Sequence, residues 1–131
     1  MSDSAYPAHH PVQQVDTAHG YITEAVASLQ SQGIRVDRSH LDPMGPVDAT
    51  IIFGDNALVW DEWTGWRVGT YVSGRQGERT VLKDARHLGG GVLLSLLDLA
   101  AMVGSGTSKP LTTREANASD GLFDALRNYR A

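Results

Sequence analysis

From Ala49 to Leu82 the chain is a series of short runs, Ala49 to Phe53, Ala57 to Trp60, Trp66 to Val72 and Arg79 to Leu82, joined by connections of three, five and six residues. Parallel neighbours need a crossover of a dozen or more residues, so connections this short favour an antiparallel meander. Gly54-Asp55-Asn56 tolerates positive φ and favours a tight hairpin. Asp61 to Gly65 makes a second turn, and Ser73 to Glu78 reads as a polar loop. Ahead of these runs, Ile34 and Val36 alternate with Arg35 and Asp37, which predicts a first strand ended by the Asp-Pro-Met-Gly-Pro turn of residues 42 to 46.

The flanks change period. Val12, Val15, Ile22, Val26 and Leu29 share one stripe of a helix while Gln13, Gln14, Glu24 and Gln30 face outward, with Pro11 suited to its first turn and Gly33 to the position past its end. His19 falls on the same stripe, as a structural histidine. Gly89-Gly90-Gly91 opens a second helix, Val92 to Val103, whose polar residues are Ser95 and Asp98. Such a helix is either covered on several sides or partly an oligomer interface. The expected fold is α+β: an N-terminal helix, a four- to five-stranded antiparallel meander, the apolar helix packed on the sheet, and a short C-terminal helix. Residues 1–11 read as a disordered tail, 12–103 as one domain, 104–118 as a linker, and 119–131 as the last helix, carried by Leu122, Phe123, Leu126 and Tyr129 and capped by Ser119 or Asp120.

Composition narrows the function classes. A net charge of -4 argues against a surface built throughout for nucleic acid or anionic lipid. With no cysteine, thiolate chemistry, disulfides and cysteine-held metals are excluded. No run approaches the ~18 apolar residues of a membrane span, and the polar N-terminus does not read as a secretory signal, so a soluble cytoplasmic protein is expected. His9 and His10 sit in the tail, where neither a tag nor a metal site is needed to account for them. No cofactor or metal is expected.

Two constellations stand out. Trp60, Trp63 and Trp66 lie within seven residues, followed by Tyr71. Large, rigid aromatics around a turn either knit a small core or face a partner, and these four are the candidate partner-binding residues. The stretch from Arg67 to His87 carries Arg67, Arg75, Arg79, Lys83 and Arg86 against Glu78 and Asp84. Arg67, Arg75, Arg79, Arg86, His87 and the backbone at Gly90 form a candidate anion site, since guanidinium forks and the amides of a helix start suit phosphate or carboxylate oxygens. The alternatives are a solvated loop of paired arginines and glycines that merely turn the chain. Asp61 with Glu62, His40 with Asp42 and Ser39, or His40 with His87 and a carboxylate can be drawn as catalytic groups, but no ordering motif supports them.

With Asp48-Ala49-Thr50, the run Ala57 to Glu62, Gly65-Trp66-Arg67 and the segment Val72 to Gly91 in view, the chain resembles an uncharacterised family of small actinobacterial proteins, known as a domain of unknown function. The resemblance covers roughly Val12 to Val103. It implies an actinobacterial, cytoplasmic origin and no particular mechanism. The expected function is a non-enzymatic protein-binding or adaptor module, homodimeric, using the Trp-lined sheet or the apolar helix. The alternative is an anion-binding regulator that holds a nucleotide, a phosphorylated ligand or single-stranded nucleic acid through the segment 67–91.

Overall fold

The computed structural model describes residues 6–9, 11–41, 48–74, 80–106 and 122–127. Within them the order is α1 (Gln13–Asp16), α2 (His19–Ser31), β1 (Arg38–Leu41), β2 (Asp48–Phe53), β3 (Asn56–Asp61), β4 (Gly65–Ser73), β5 (Val81–His87), α3 (Leu96–Ser105) and α4 (Leu122–Arg127). The fold is α+β, with one five-stranded sheet in the order β1-β2-β3-β4-β5 and every neighbour antiparallel. Phe53 pairs with Asn56 across a two-residue turn, and φ is positive at Gly54 and not at Asp55, the pattern of a type II′ hairpin. No helix among the described residues is long and apolar enough to cross a membrane.

The first strand lies later than the alternation of Ile34 and Val36 suggests. The amides of Gly33 and Ile34 are spent on α2, donating to Gln30 O and Leu29 O at 3.0 Å each, a Schellman closure. Pairing with β2 starts when Asp37 N donates to Ile52 O at 2.8 Å. The turn expected at 42–46 lies outside the described residues. The long N-terminal stripe is also two helices, interrupted at Thr17 and Ala18. Residues 6–9, expected as tail, are held against these helices: Tyr6 Oη donates to Gln30 Oε1 at 3.0 Å, His19 Nε2 to Pro7 O at 2.9 Å, and the His9 ring stacks on His19.

Strand alternation gives the sheet two chemically different faces. Leu41, Ala49, Ile51, Leu58, Trp60 and Trp66 share one face, and their core cluster includes Tyr21, Ile22, Ala25, Val26 and Leu29 of α2, Leu99, Ala100 and Met102 of α3, and Leu122 and Leu126 of α4. The other face is buried as well but carries polar groups: His40, Asp48, Thr50 and Asp61 alternate with the core set, beside Ile52, Ala57 and Val59. The hydroxyls of Thr50 and Thr80 meet there at 2.6 Å, so the chain entering β5 touches the middle of this face. Nothing in the hydrophobic pattern marks these polar residues as interior.

Two tryptophans and a tyrosine join the layers. Trp60 Nε1 donates to Val92 O at 2.8 Å, Trp66 Nε1 to Tyr21 Oη at 3.1 Å, and Tyr21 Oη to Leu94 O at 2.7 Å. All three side chains are fully buried, and the Tyr21 ring lies about 6 Å from both indoles in edge or tilted geometry. This arrangement explains why the last large helix starts at Leu96 instead of Val92. The carbonyls of Val92 and Leu94 accept from aromatic side chains, and helical residues would aim those carbonyls along the axis. Ser95 then caps α3 by accepting from Asp98 N.

The last strand is longer than the expected Arg79 to Leu82 and ends at His87. It is the sheet edge, and apart from Leu82 its residues are exposed, which is why its alternation is too polar to be legible. Its pairing with β4 shifts register between Val68 and Thr70 and again between Tyr71 and Ser73. Edge bulges of this kind twist a strand and interrupt the ladder.

Candidate functional site

The structure distributes the four partner-binding candidates over different environments. Trp60 and Trp66 are interior and fully hydrogen-bonded, so they are removed from any surface; burying them completes the helix-covered core. Trp63 sits in the β3–β4 turn, half-buried, with its indole N–H enclosed and without an acceptor among the described residues. The Tyr71 hydroxyl donates to Gly74 O, and the Arg38 guanidinium lies 5.8 Å from its ring centroid. A continuous Trp-lined sheet surface is therefore absent from the described residues.

The β3–β4 turn is organised by one carboxylate. Asp61 Oδ1 accepts from the amides of Trp63 and Thr64 at 2.8 and 2.7 Å, while Oδ2 accepts from Thr64 Oγ1 at 2.6 Å and Arg67 Nη1 at 2.9 Å. The Asp61 side chain is 8% exposed and that of Arg67 27%, so the pair is shielded far more than an ordinary surface ion pair. Arg67 is thus a partner of its own turn. Asp61→Asn would offer an amide N–H₂ to donors at Oδ2 and remove the charge facing Arg67. It is expected to lower stability by about 2 kcal/mol, read as a shifted urea midpoint at unchanged m value.

The rest of the anion candidate does not converge. Arg75 and Arg79 lie outside the described residues. Arg86 and His87 are adjacent on β5 and point to opposite faces, Arg86 pairing with Val68 and His87 with Arg67. Gly90 is exposed, but Ser95 caps α3, so the glycine amides are not at the start of the helix and gain nothing from its dipole. The glycines serve a close passage: a Cβ on Gly65 would lie 2.7 Å from Gly91 O.

A catalytic grouping of the two histidines is likewise not formed. His40, Thr50, Val59, Arg67 and His87 make one row across all five strands. Four strand spacings separate the histidines by about 19 Å, beyond any shared hydrogen bond. Asp61 is committed to its turn, and Glu62, next along the chain, belongs to the turn and not to the strand. Among the described residues no group of three or more His, Asp or Glu is placed to hold a metal ion.

Among the described helices, α3 presents an apolar stripe to the outside. Leu99, Ala100 and Met102 are buried, whereas Leu97, Ala101 and Gly104, at spacings of four and three, form an exposed stripe. Leu97 is 71% exposed, the highest value among the exposed large hydrophobics of the described residues. Half-buried Asp98 and exposed Ser105 lie beside the stripe, while Leu96 and Val103 pack against the core on the other side of the helix. Its all-round apolarity was visible in sequence; its exposed side was not, because period alone does not tell which face the core takes. Comparison with family models, with curated proteins and with solved structures gives no match.

Proposed function

We propose that this protein is a non-enzymatic protein-binding module that works as a homodimer, with the outer face of α3 as the contact between copies. The observation that carries this reading is Leu97, a large apolar side chain exposed in the first turn of a helix whose opposite side is core. The apolar stripe of Leu97, Ala101 and Gly104 is complementary to itself across a twofold axis. Alanine and glycine beside the leucine let two helix backbones approach within the 8–10 Å of close helix pairs.

The size of the surface sets the strength. Ten helical residues span about 15 Å. A pair of such helices falls below the ~1,200 Å² at which specific interfaces become stable, so the dimer is expected to exchange, with a dissociation constant in the micromolar range. Sedimentation velocity over a concentration series tests this. The wild type is expected to shift from monomer to dimer, and Leu97→Glu to remain monomeric with folding stability within about 0.5 kcal/mol of wild type, because the site is solvent-facing in the monomer. A wild type that stays monomeric, or a Leu97→Glu variant that still dimerises, would overturn the reading.

A further inference from the structure

A cleft of about 290 Å³ opens between α3 and the end of the sheet nearest the β2–β3 hairpin. Its floor is apolar: Phe53, Val68 and Val103 line it from β2, β4 and α3, each half-buried and packed against the core. Its rim is polar and exposed, formed by Asn56, Thr70, Asp84 and Arg86. The volume is at the lower end for small-molecule sites, and an apolar floor with a few polar groups at the mouth is their usual construction.

The backbone at this rim is out of the ordinary. Asp84 has φ of 55°, the only positive φ at a non-glycine residue among the described residues. It is the extra residue where β4 and β5 change register between Val68 and Thr70. The opposing position is Gly69, where a Cβ would lie 2.9 Å from Lys83 O and 3.0 Å from Ala85 Cα. Sequence positions on both strands therefore accommodate the bulge, and Asp84 borders the cleft together with Arg86. Bulges next to sites re-aim side chains, and strained residues concentrate where ligands bind.

We propose that this cleft binds a small zwitterion with an apolar side chain, of the α-amino-acid class, its ammonium at Asp84, its carboxylate at Arg86 and its side chain on the floor of Phe53, Val68 and Val103. Asp84 and Arg86 lie two positions apart on β5 and both line the mouth of the cleft, so an acid and a base stand side by side where a ligand carrying both charges would be complementary. The guanidinium fork matches a carboxylate, and the neighbouring acid disfavours a phosphate or other polyanion. Thr70 and Asn56, paired across β3 and β4, add neutral hydrogen-bonding groups. The site is separate from the proposed dimer contact, and neither reading depends on the other.

Amide chemical-shift titrations with leucine, N-acetylleucine and leucinamide test the proposal. Leucine is expected to perturb residues lining the cleft and to bind about tenfold more tightly than either singly charged analogue, one charge contact being worth that factor. Thr70→Trp fills the mouth from an exposed strand position and should abolish the response. Asp84→Gly should raise the melting temperature by relieving the backbone while removing the preference for leucine over N-acetylleucine, a divergence that a purely structural aspartate would not give. Absence of leucine-induced shifts at the cleft, shifts that persist in Thr70→Trp, or equal affinity for the three probes would each overturn it.

Discussion

Trp60→Ala is expected to lower the unfolding free energy by about 4 kcal/mol, a large share of what a domain of this size has to lose. The indole is fully buried between the sheet and the chain that crosses to α3, and alanine would leave a cavity lined by Tyr21 and other core groups that cannot collapse together. The Val92 carbonyl would also lose its donor. Trp60→Phe separates the two contributions, since it keeps most of the volume and loses the hydrogen bond, for an expected cost of about 1–2 kcal/mol. Urea unfolding followed by far-ultraviolet circular dichroism reads both variants. If Trp60→Ala were nearly neutral, the indole would not be a core group and the aromatic join between sheet and crossover would be wrong.

Gly65→Ala is the second large effect, expected to cost about 3 kcal/mol. Gly65 has φ of 77°, where an L-residue is penalised by about 1–2 kcal/mol, and its new Cβ would meet Gly91 O at 2.7 Å and Val92 Cα at 3.3 Å. Both neighbours are backbone, and Val92 is tied to Trp60, so neither side can give way without pulling on the aromatic group. Gly33→Ala is the control. It has a similar φ of 84° but nothing within 4 Å of the added carbon, so it should cost about 1 kcal/mol. The difference between the two variants in the same urea experiment measures the close passage alone.

The two glycine sites also show which parts of this fold are local and which are not. Gly33 at the end of a helix stripe is legible because its reason lies within five residues of chain, in the bonds from Gly33 and Ile34 back to Gln30 and Leu29. Gly65 and Gly91 explain each other, yet are 26 positions apart, and nothing at either place announces the other. The meander was legible for the same local reason, short connections and a hairpin glycine. The position of β1 was not, since Arg38 to Leu41 becomes a strand by pairing with Asp48 to Phe53 and has little apolar pattern of its own. Tyr21 has no signal of its own in the helix pattern, although its hydroxyl links Trp66 to Leu94.

The candidate site divides in the same way. Three tryptophans within seven residues are conspicuous in sequence, but alternation along β3 and β4 sends Trp60 and Trp66 to the helix-covered face. Arg67 looked like a ligand group and is held by Asp61, six residues away. The burial of His40, Asp48 and Thr50 is not legible in sequence, because polar residues on a strand read as solvent-facing unless something is known to cover them. Leu97 was visible as part of an apolar helix, and only the packing of Leu99, Ala100 and Met102 shows that it looks outward.

Copies of the chain are proposed to meet through the outer face of α3 and not through the tryptophan turn. A dilution series of amide chemical shifts tests this most directly, because it reports both the existence and the location of the contact. Concentration-dependent shifts are expected to concentrate at Leu97, Ala101 and Gly104, with Trp63 and Tyr71 unchanged. Shifts centred on Trp63, Tyr71 and β5, with α3 silent, would contradict it.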